Sequence, residues 1–589
     1  MKRIVLLIVT ALCVGFTANA VPAYRGLIKH TQPDGSTIMI RLHGDEFCHW
    51  VTDVSGQPLE QDADGYYRPV SESKIRERRA AASIRRAAIN SARRSPAKAG
   101  IAIGQKHFLV ILVEFSDVSF KSSTANADFT ALLNEQGYNV NSATGSARDF
   151  YYDNSGGRFE PIFDVYGPVT LNNNRAYYGG NDSNGDDQRP HYAVRDGCQG
   201  LNSEIDFSSY DNDNDGKVDL VFMYYAGQGE ADGGPANSIW PHQWELTSGG
   251  LNLTLDGKKI DSYACTNEIV SYGSLSGKMC GIGTACHEFG HAMGLPDFYD
   301  TDYDTYNGEA GGLYDYSTMC GGSYNNSGRT PPYFNIEERI MLGWQEASII
   351  REFESSGSYT FGSVSNNIAY KTPTDMAGEY FLYECRSKTG WDRYIPEAGL
   401  IVYHVDKSSR NVTIRGYSSN IQVAASALWS NWSQYNSINE NGSHPCFYVV
   451  PAGAQSNLNY SGSQWAFPGS SGRNSFTATS WSGVVSDIEL SSISYSNNQV
   501  TLYATVPSTV LNYNVISNPG NGVYTAGSSF ALSLDESAAQ PVSSVQWYLD
   551  DEPVSGSSVT LTAGSHLIEA HLTLQSGATQ IVELSLEAR

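Results

Sequence analysis

Thr284-Ala-Cys-His287-Glu288-Phe-Gly-His291-Ala-Met-Gly294-Leu-Pro296-Asp297-Phe-Tyr-Asp-Thr-Asp302 decides how this chain is read. Residues four apart on a helix share a face, so His287 and His291 can aim both imidazoles at one ion. Glu288 lies between them, placed to reach a water on that ion. Neutral imidazole suits Zn²⁺, and a catalytic zinc site keeps one position open for solvent. Gly294 can adopt positive φ and end the helix, and Pro296 prevents its resumption. The resulting turn can return Asp297 to the ion as a third, oxygen ligand. Glutamates further on compete for that place: Glu309, and Glu337 or Glu338 in the helical-looking run 335–343. The spacing favours Asp297, because it brings the glycine and the turn with it.

The His-Glu-x-x-His-x-x-Gly-x-x-Asp layout is that of a metzincin with Asp in place of the last His. That layout calls for a methionine turn beneath the metal, and Met319 in Asp315-Tyr-Ser-Thr-Met319-Cys-Gly-Gly322 is the downstream candidate. The stretch His287 to Asp300 resembles the immune-inhibitor-A-type family of secreted bacterial zinc metallopeptidases. Further stretches that fit are Leu109–Asp117, Asp211–Asp219, Ile239–His242, Glu379–Glu384 and Gly399–Asp406, so the likeness runs over roughly residues 105–505. Cys385, where Asn is expected after Glu384, departs from the pattern locally. The resemblance implies a zinc endopeptidase that hydrolyses protein substrates. His287, His291 and Asp297 would hold Zn²⁺, with Glu288 as general base toward the metal-bound water and then acid toward the leaving amine.

A second cluster, Asp211-Asn-Asp213-Asn-Asp215-Gly216-Lys217-Val-Asp219, has oxygen donors at alternate positions followed by a glycine turn. That matches the first nine positions of an EF-hand loop. The twelfth-position glutamate is missing, since Phe222 stands there, and an apolar run follows instead of a helix. The reading is an EF-hand-like Ca²⁺ loop outside an EF-hand fold, with Asp211, Asp213, Asp215, Asp219 and the Lys217 carbonyl as ligands. Asp300, Asp302 and Asp304 are a further candidate cation cluster.

Outward from these motifs, the chain divides. Met1-Lys2-Arg3, an apolar run to Ala18 and Ala18-Asn-Ala20 read as a Sec-type signal peptide (1–20), so the protein is expected outside the cell. No later run is apolar enough to span a membrane. Residues 21–104 read as a propeptide that keeps the enzyme a zymogen. Its strands are Thr37–His43 and one near Tyr66–Tyr67. Its basic stretch from Lys74 to Lys98 is a candidate helix and processing site for an activating protease. Cys48 is a candidate latency ligand, a thiolate able to fill the open zinc position. Residues 105–348 form an α/β zincin domain, 349–506 an all-β sandwich, and 507–589 an immunoglobulin-like unit around Trp547. Within the zincin domain, Ser146–Tyr152 reads as the end of a helix. The segment around Ile239-Trp240-Pro-His242 reads as the strand lining the cleft, with His242 structural.

Composition narrows the class. With 589 residues, 57 Gly, 37 Tyr and 17% charged residues, the chain suits a loop-rich, β-rich extracellular protein of several domains. A net charge of −24 argues against nucleic-acid binding. Of nine cysteines, Cys13 leaves with the signal peptide and Cys48 with the propeptide, so an odd number remains and one thiol is unpaired or intermolecular. The alternative from another class is a non-catalytic surface or carbohydrate-binding protein built on a zincin-like domain. Glu288 speaks against it, because a structural metal site needs no base.

Overall fold

The computed structural model describes residues 21–62, 64–92, 101–182, 185–301, 310–415, 420–431, 438–507, 516–518, 522–534, 542–574 and 578–589. Residues 1–20, read above as a signal peptide and containing Cys13, lie outside them, as do Asp302, Asp304, Glu309 and the basic residues 93–98.

The first unit is an antiparallel sheet of five strands in sequence order: β1 (Leu27–Thr31), β2 (Thr37–Gly44), β3 (His49–Asp53), β4 (Pro58–Gln61) and β5 (Tyr67–Pro69). Alternation in Thr37–His43 places Ile40 and Leu42 inward, as period-two patterning requires. Helix α1 (Glu72–Ala92) follows and is anchored at its start. There Lys74 and Arg78 pair with Glu60, and Arg79 stacks 4.5 Å over Trp50.

The second unit carries a five-stranded mixed sheet. Its strands are β6 (Gly104–Glu114), β7 (Phe159–Thr170), β8 (Val221–Gln228), β9 (His242–Glu245) and β12 (Ser262–Ile269), in the order β7-β6-β8-β12-β9. Between β9 and β12 a small hairpin, β10 (Leu253–Leu255) with β11 (Lys258–Ile260), stands apart. All pairings within the sheet are parallel except that of β9 to β12. The central strands are apolar on both faces because helices cover both. Phe108, Val110, Leu112, Phe222 and Tyr224 face one core, shared with α2 (Ala125–Asn134), α3 (Ala147–Ser155) and α6 (Gly283–Met293). Leu109, Ile111, Val221 and Met223 face another, with α4 (Arg175–Gly179) and α5 (Pro190–Gly200). Ser146–Tyr152 opens a helix rather than ending one. Ser146 and Asp149 form a reciprocal capping box at the start of α3, and Gly156 in the left-handed region closes it.

Downstream, the β-rich region folds as two facing sheets. One comprises Ile350–Glu352, Ala369–Pro373, Glu379–Arg386, Gly399–Asp406 and Phe447–Val450. The other comprises Gly357–Gly362, Gln499–Thr505, Val485–Ser496 and Phe476–Thr479. Phe381, Tyr383, Leu400 and Val402 of the first sheet meet Phe361, Leu490, Val500 and Leu502 of the second. Alternate residues of the first sheet, Leu382, Ile401, Tyr403 and Val405, join the core of the second unit instead. The first sheet is therefore buried on both faces. Cys385 points into the sandwich, its thiol 3.5 Å from the Asn498 carbonyl, so the departure from Asn there is absorbed locally. The last unit has its own core of Phe530, Trp547, Leu561, Ile568, Leu572 and Leu586. Its main sheet is built from Val542–Leu549, Gly564–Leu574 and Thr579–Ala588, with short flanking strands.

Eight cysteines are described and none is disulfide-bonded. No helix among the described residues is long and apolar enough to cross a membrane.

A buried charge network ties the sandwich to the second unit. The Arg386 guanidinium grips both Asp392 oxygens at 2.6 and 2.7 Å and donates to the Tyr316 and Tyr333 carbonyls. Glu384, beside it, accepts from the backbone of Ile336 at the start of α7 (Ile336–Met341). Removing one partner strands a charge in a dry interior. Asp392→Ala is expected to cost about 3–5 kcal/mol, seen as a lowered urea midpoint; an unchanged midpoint would show that the network carries no stability.

Candidate metal centre

Helix α6 ends where the sequence requires. Gly294 sits at φ 108°, and its N–H and that of Leu295 return to carbonyls of the last turn. The chain then doubles back and delivers Asp297 beneath the helix. The two imidazole Nε2 atoms stand 3.1 Å apart. Asp297 Oδ1 lies 3.2 Å from His287 Nε2 and 3.4 Å from His291 Nε2. His287 Nδ1 donates to the Thr318 carbonyl and His291 Nδ1 to the Leu295 carbonyl, each at 2.8 Å. A carbonyl only accepts, so each Nδ1 carries the proton and each Nε2 presents a lone pair. Two lone pairs and a carboxylate oxygen thus converge on one point in a buried site. Ligands at about 2.0–2.1 Å in a tetrahedral zinc site lie about 3.3–3.4 Å from one another, which matches this triangle. The residues present fit zinc.

Electrostatics agree. Burial raises the Asp297 carboxyl, and positive charge at the two imidazole Nε2 positions beside it draws it well below the usual carboxylate range; with both rings neutral, that charge is the place of a cation. Burial lowers His291 and keeps it neutral. Burial pushes Glu288 well up, with Asp297 adding to the rise and the Val21 amide opposing it.

Met319 lies under α6. A Cβ on Gly290 would come within 2.5 Å of its sulfur, so the glycine between the two histidines is what lets the turn approach. The same turn supplies the Thr318 carbonyl that orients His287. The two competing glutamates among the described residues are engaged elsewhere. Glu337 pairs with Lys407 and Tyr380, and Glu338 accepts from Ser317 and caps α7 through the Asn335 amide. His242 is bonded to the Trp240 carbonyl and Tyr263, and burial pushes its pKa down to about 4. It is a neutral structural histidine.

Cys48 is not among the residues gathered with His287, His291 and Asp297. Its side chain packs with Phe47, Ala82 and Trp50 in a small apolar cluster, where a Cys acts as a compact hydrophobe. The group that the N-terminal unit brings to the site is the backbone of residues 21–24. The Val21 N–H donates to Glu288 Oε1 at 2.8 Å, with both residues fully buried. Trp240 Nε1 donates to the Val21 carbonyl at 3.1 Å, and the Tyr324 hydroxyl to the Pro22 carbonyl at 2.8 Å. The Tyr24 N–H reaches the Ala231 carbonyl at 2.9 Å. Sequence reasoning missed this strap. Val-Pro-Ala-Tyr carries no reactive side chain, and the only signal was its place directly after the signal-peptide pattern.

In the acidic loop, Asp211, Asp213 and Asp215 bring carboxylate oxygens within 4.8 Å of one another. Asp219 stands apart, accepting from the Asn212 backbone and side chain at 3.0 and 2.8 Å. The Lys258 ammonium lies 2.6 Å from Asp211, supplying one positive charge to the cluster. The side chain of Asp300 accepts from the Ala310 amide.

Residues 98–339 match the model for the immune inhibitor A peptidase M6 catalytic domain. The chain is 27% identical over 216 residues to an immune inhibitor A from Bacillus thuringiensis subsp. alesti, covering 33% of this chain and 31% of that protein. It is 27% identical over 241 residues to the pre-pro-metalloprotease PrtV of Vibrio cholerae, covering 34% and 26%. The chain thus spans about a third or less of the length of these curated relatives. Among solved structures, wild-type OgpA from Akkermansia muciniphila is 8% identical, over 84% of this chain and 94% of that one, at a TM-score of 0.22. A fibronectin(III)-like module structure of Clostridium thermocellum CbhA covers 13% of this chain at a TM-score of 0.10. Neither score carries an argument. The family model, the two curated relatives and the His287–His291–Asp297 triangle agree: residues 98–339 of this chain are similar to the catalytic domain of the immune inhibitor A peptidase M6 family.

Proposed function

We propose that the chain is a secreted zinc endopeptidase made as a zymogen, in which His287, His291 and Asp297 hold zinc and Glu288 moves the proton. The observation that carries this is the triangle of two Nε2 lone pairs and one carboxylate oxygen with a glutamate beside it. Zinc bound there supplies a Lewis acid that polarises a carbonyl and makes solvent nucleophilic near neutral pH. The chain's own residues do the rest. Thr318 and Leu295 carbonyls fix the imidazole tautomers, the outer support that metal-binding histidines need. Glu288, buried and raised, takes a proton and hands it to the departing amine nitrogen, the place that the Val21 N–H occupies. The Tyr324 hydroxyl lies at the cleft within reach of a peptide carbonyl, as its bond to Pro22 indicates. Tyr316, the other tyrosine near the methionine turn, is engaged with Glu397 instead.

The zymogen reading rests on residues 21–24. They fill the space in front of Glu288 and hold Trp240 and Tyr324 in substrate-like hydrogen bonds. The sheet β1–β5 behind them is fixed to the catalytic unit by His49, which pairs with Glu230 at 3.2 Å and stacks on Trp240. Release then requires a cut between the two units, and the basic stretch after α1 is the candidate place. Calcium in the Asp211–Asp219 loop is a supporting proposal. Three carboxylates gather there, and Lys258 offsets a single charge.

Glu288→Gln is expected to lower casein hydrolysis by the activated protein about 100- to 10,000-fold while zinc content stays at one per chain; near-normal hydrolysis would remove Glu288 from the chemistry. Mass spectrometry of the active secreted species should find an N-terminus between residues 93 and 104, and Cys48→Ala should leave the pro-form silent. An active species starting at Val21, or a leaking Cys48→Ala, contradicts the strap. Withdrawing calcium with zinc kept in place should lower Tm by several degrees in the wild type and not in Asp213→Ala; equal melting with and without calcium rules the loop out as a calcium site.

A further inference from the structure

The strap does more than obstruct. Its backbone bonds run through successive residues: Val21 N–H to Glu288, the Val21 carbonyl from Trp240, the Pro22 carbonyl from Tyr324, and the Tyr24 N–H to Ala231. All four partners belong to the catalytic unit. A peptidase of the proposed kind hands the Glu288 proton to the amine nitrogen of the broken bond. Val21 N occupies that position, so residues 21–24 lie as the amine-side half of a substrate would, with Tyr24 in fourth place after the bond.

Tyr24 is the one large side chain of the four. Its ring stacks on Tyr272 at 3.7 Å with 20° between planes, and meets Tyr324 edge-on at 5.4 Å. Tyr272 and Tyr324 stand 5.9 Å apart at 75°, so they form two walls of an aromatic corner that the Tyr24 ring fills. Stacked and edge-to-face pairs of this kind are favoured beyond the area they bury. With Tyr24 withdrawn, Tyr272, now 5% exposed, faces the cleft without its stacking partner. Arg25 follows, its guanidinium 5.9 Å from the Tyr314 ring, beside an open cavity of about 280 Å³ lined in part by Tyr299, Ala310 and Gly311.

We infer that the corner of Tyr272 and Tyr324 is a specificity subsite that takes an aromatic side chain four residues after the scissile bond. The substrate class is therefore polypeptide with Tyr, Phe or Trp at that place. The inference rests on the peptidase reading given above, and its test separates the two.

The secreted full chain, loaded with zinc and activated by limited trypsin treatment, is given a proteome-derived peptide library, and each cut is located by mass spectrometry. Aromatic residues should be enriched at least about three-fold at the fourth amine-side position. The enrichment should vanish in Tyr272→Ala and persist in Tyr272→Phe. As a measurement that needs no variant, the peptide Val-Pro-Ala-Tyr should inhibit the wild type about ten-fold more tightly than Val-Pro-Ala-Ala. A flat fourth position, equal inhibition by the two peptides, or enrichment that survives in Tyr272→Ala overturns the subsite and leaves the peptidase intact. A wild type that cuts no peptide overturns the peptidase reading and the subsite together.

Discussion

Three acceptor atoms meeting in a dry pocket set the terms for the rest of the molecule. Two imidazole lone pairs and a carboxylate oxygen within 3.1–3.4 Å of one another repel unless a cation lies between them. Holding them there needs support from several directions. The Thr318 and Leu295 carbonyls turn the rings. Gly294 reverses the chain to bring Asp297 back, and Gly290 lets the Met319 turn close beneath. The helix that carries the histidines is in turn packed on the central sheet by Phe289, edge-on to Phe108 at 4.7 Å. Behind it, the sandwich sheet covers the same core and anchors through Arg386. Sandwich and catalytic unit are thereby parts of one packing arrangement, with α6 at its centre.

The local chemistry was legible in the chain because it is written at helical and turn spacing. His287, His291, Gly294 and Asp297 are close in sequence, and four positions are enough to fix the triangle. The stretches Glu379–Glu384 and Gly399–Asp406, singled out as fitting the family pattern, fall within strands of the sandwich, being apolar runs of strand length with clear ends. The start of α3 was misread because Tyr and Phe around Arg148–Tyr152 look like a helix tail. The capping box of Ser146 and Asp149 is the stronger signal, and it marks a beginning.

What sequence could not give was anything made by backbone from far away. The Val21 amide reaches Glu288 across 267 positions, and an amide has no residue type to announce it. Attention fell on Cys48 because a thiol is reactive, yet folding placed it against Phe47 and Ala82. Likewise nothing in the sequence pairs Trp240 or Tyr272 with residues near position 21, yet Trp240 donates to the Val21 carbonyl and Tyr272 stacks on Tyr24. In the acidic loop, alternate spacing found Asp211, Asp213 and Asp215. It could not foresee that Asp219 would turn to its neighbour Asn212, or that Lys258 would arrive from a hairpin.

The convergence of His287, His291 and Asp297 on zinc is tested most directly by X-ray absorption at the zinc edge of the secreted protein. The expected spectrum has two imidazole nitrogens and oxygen at about 2.0–2.2 Å, with no sulfur shell. A sulfur shell at about 2.3 Å, a single imidazole, or a protein that holds no zinc at all would contradict the triangle as its binding site.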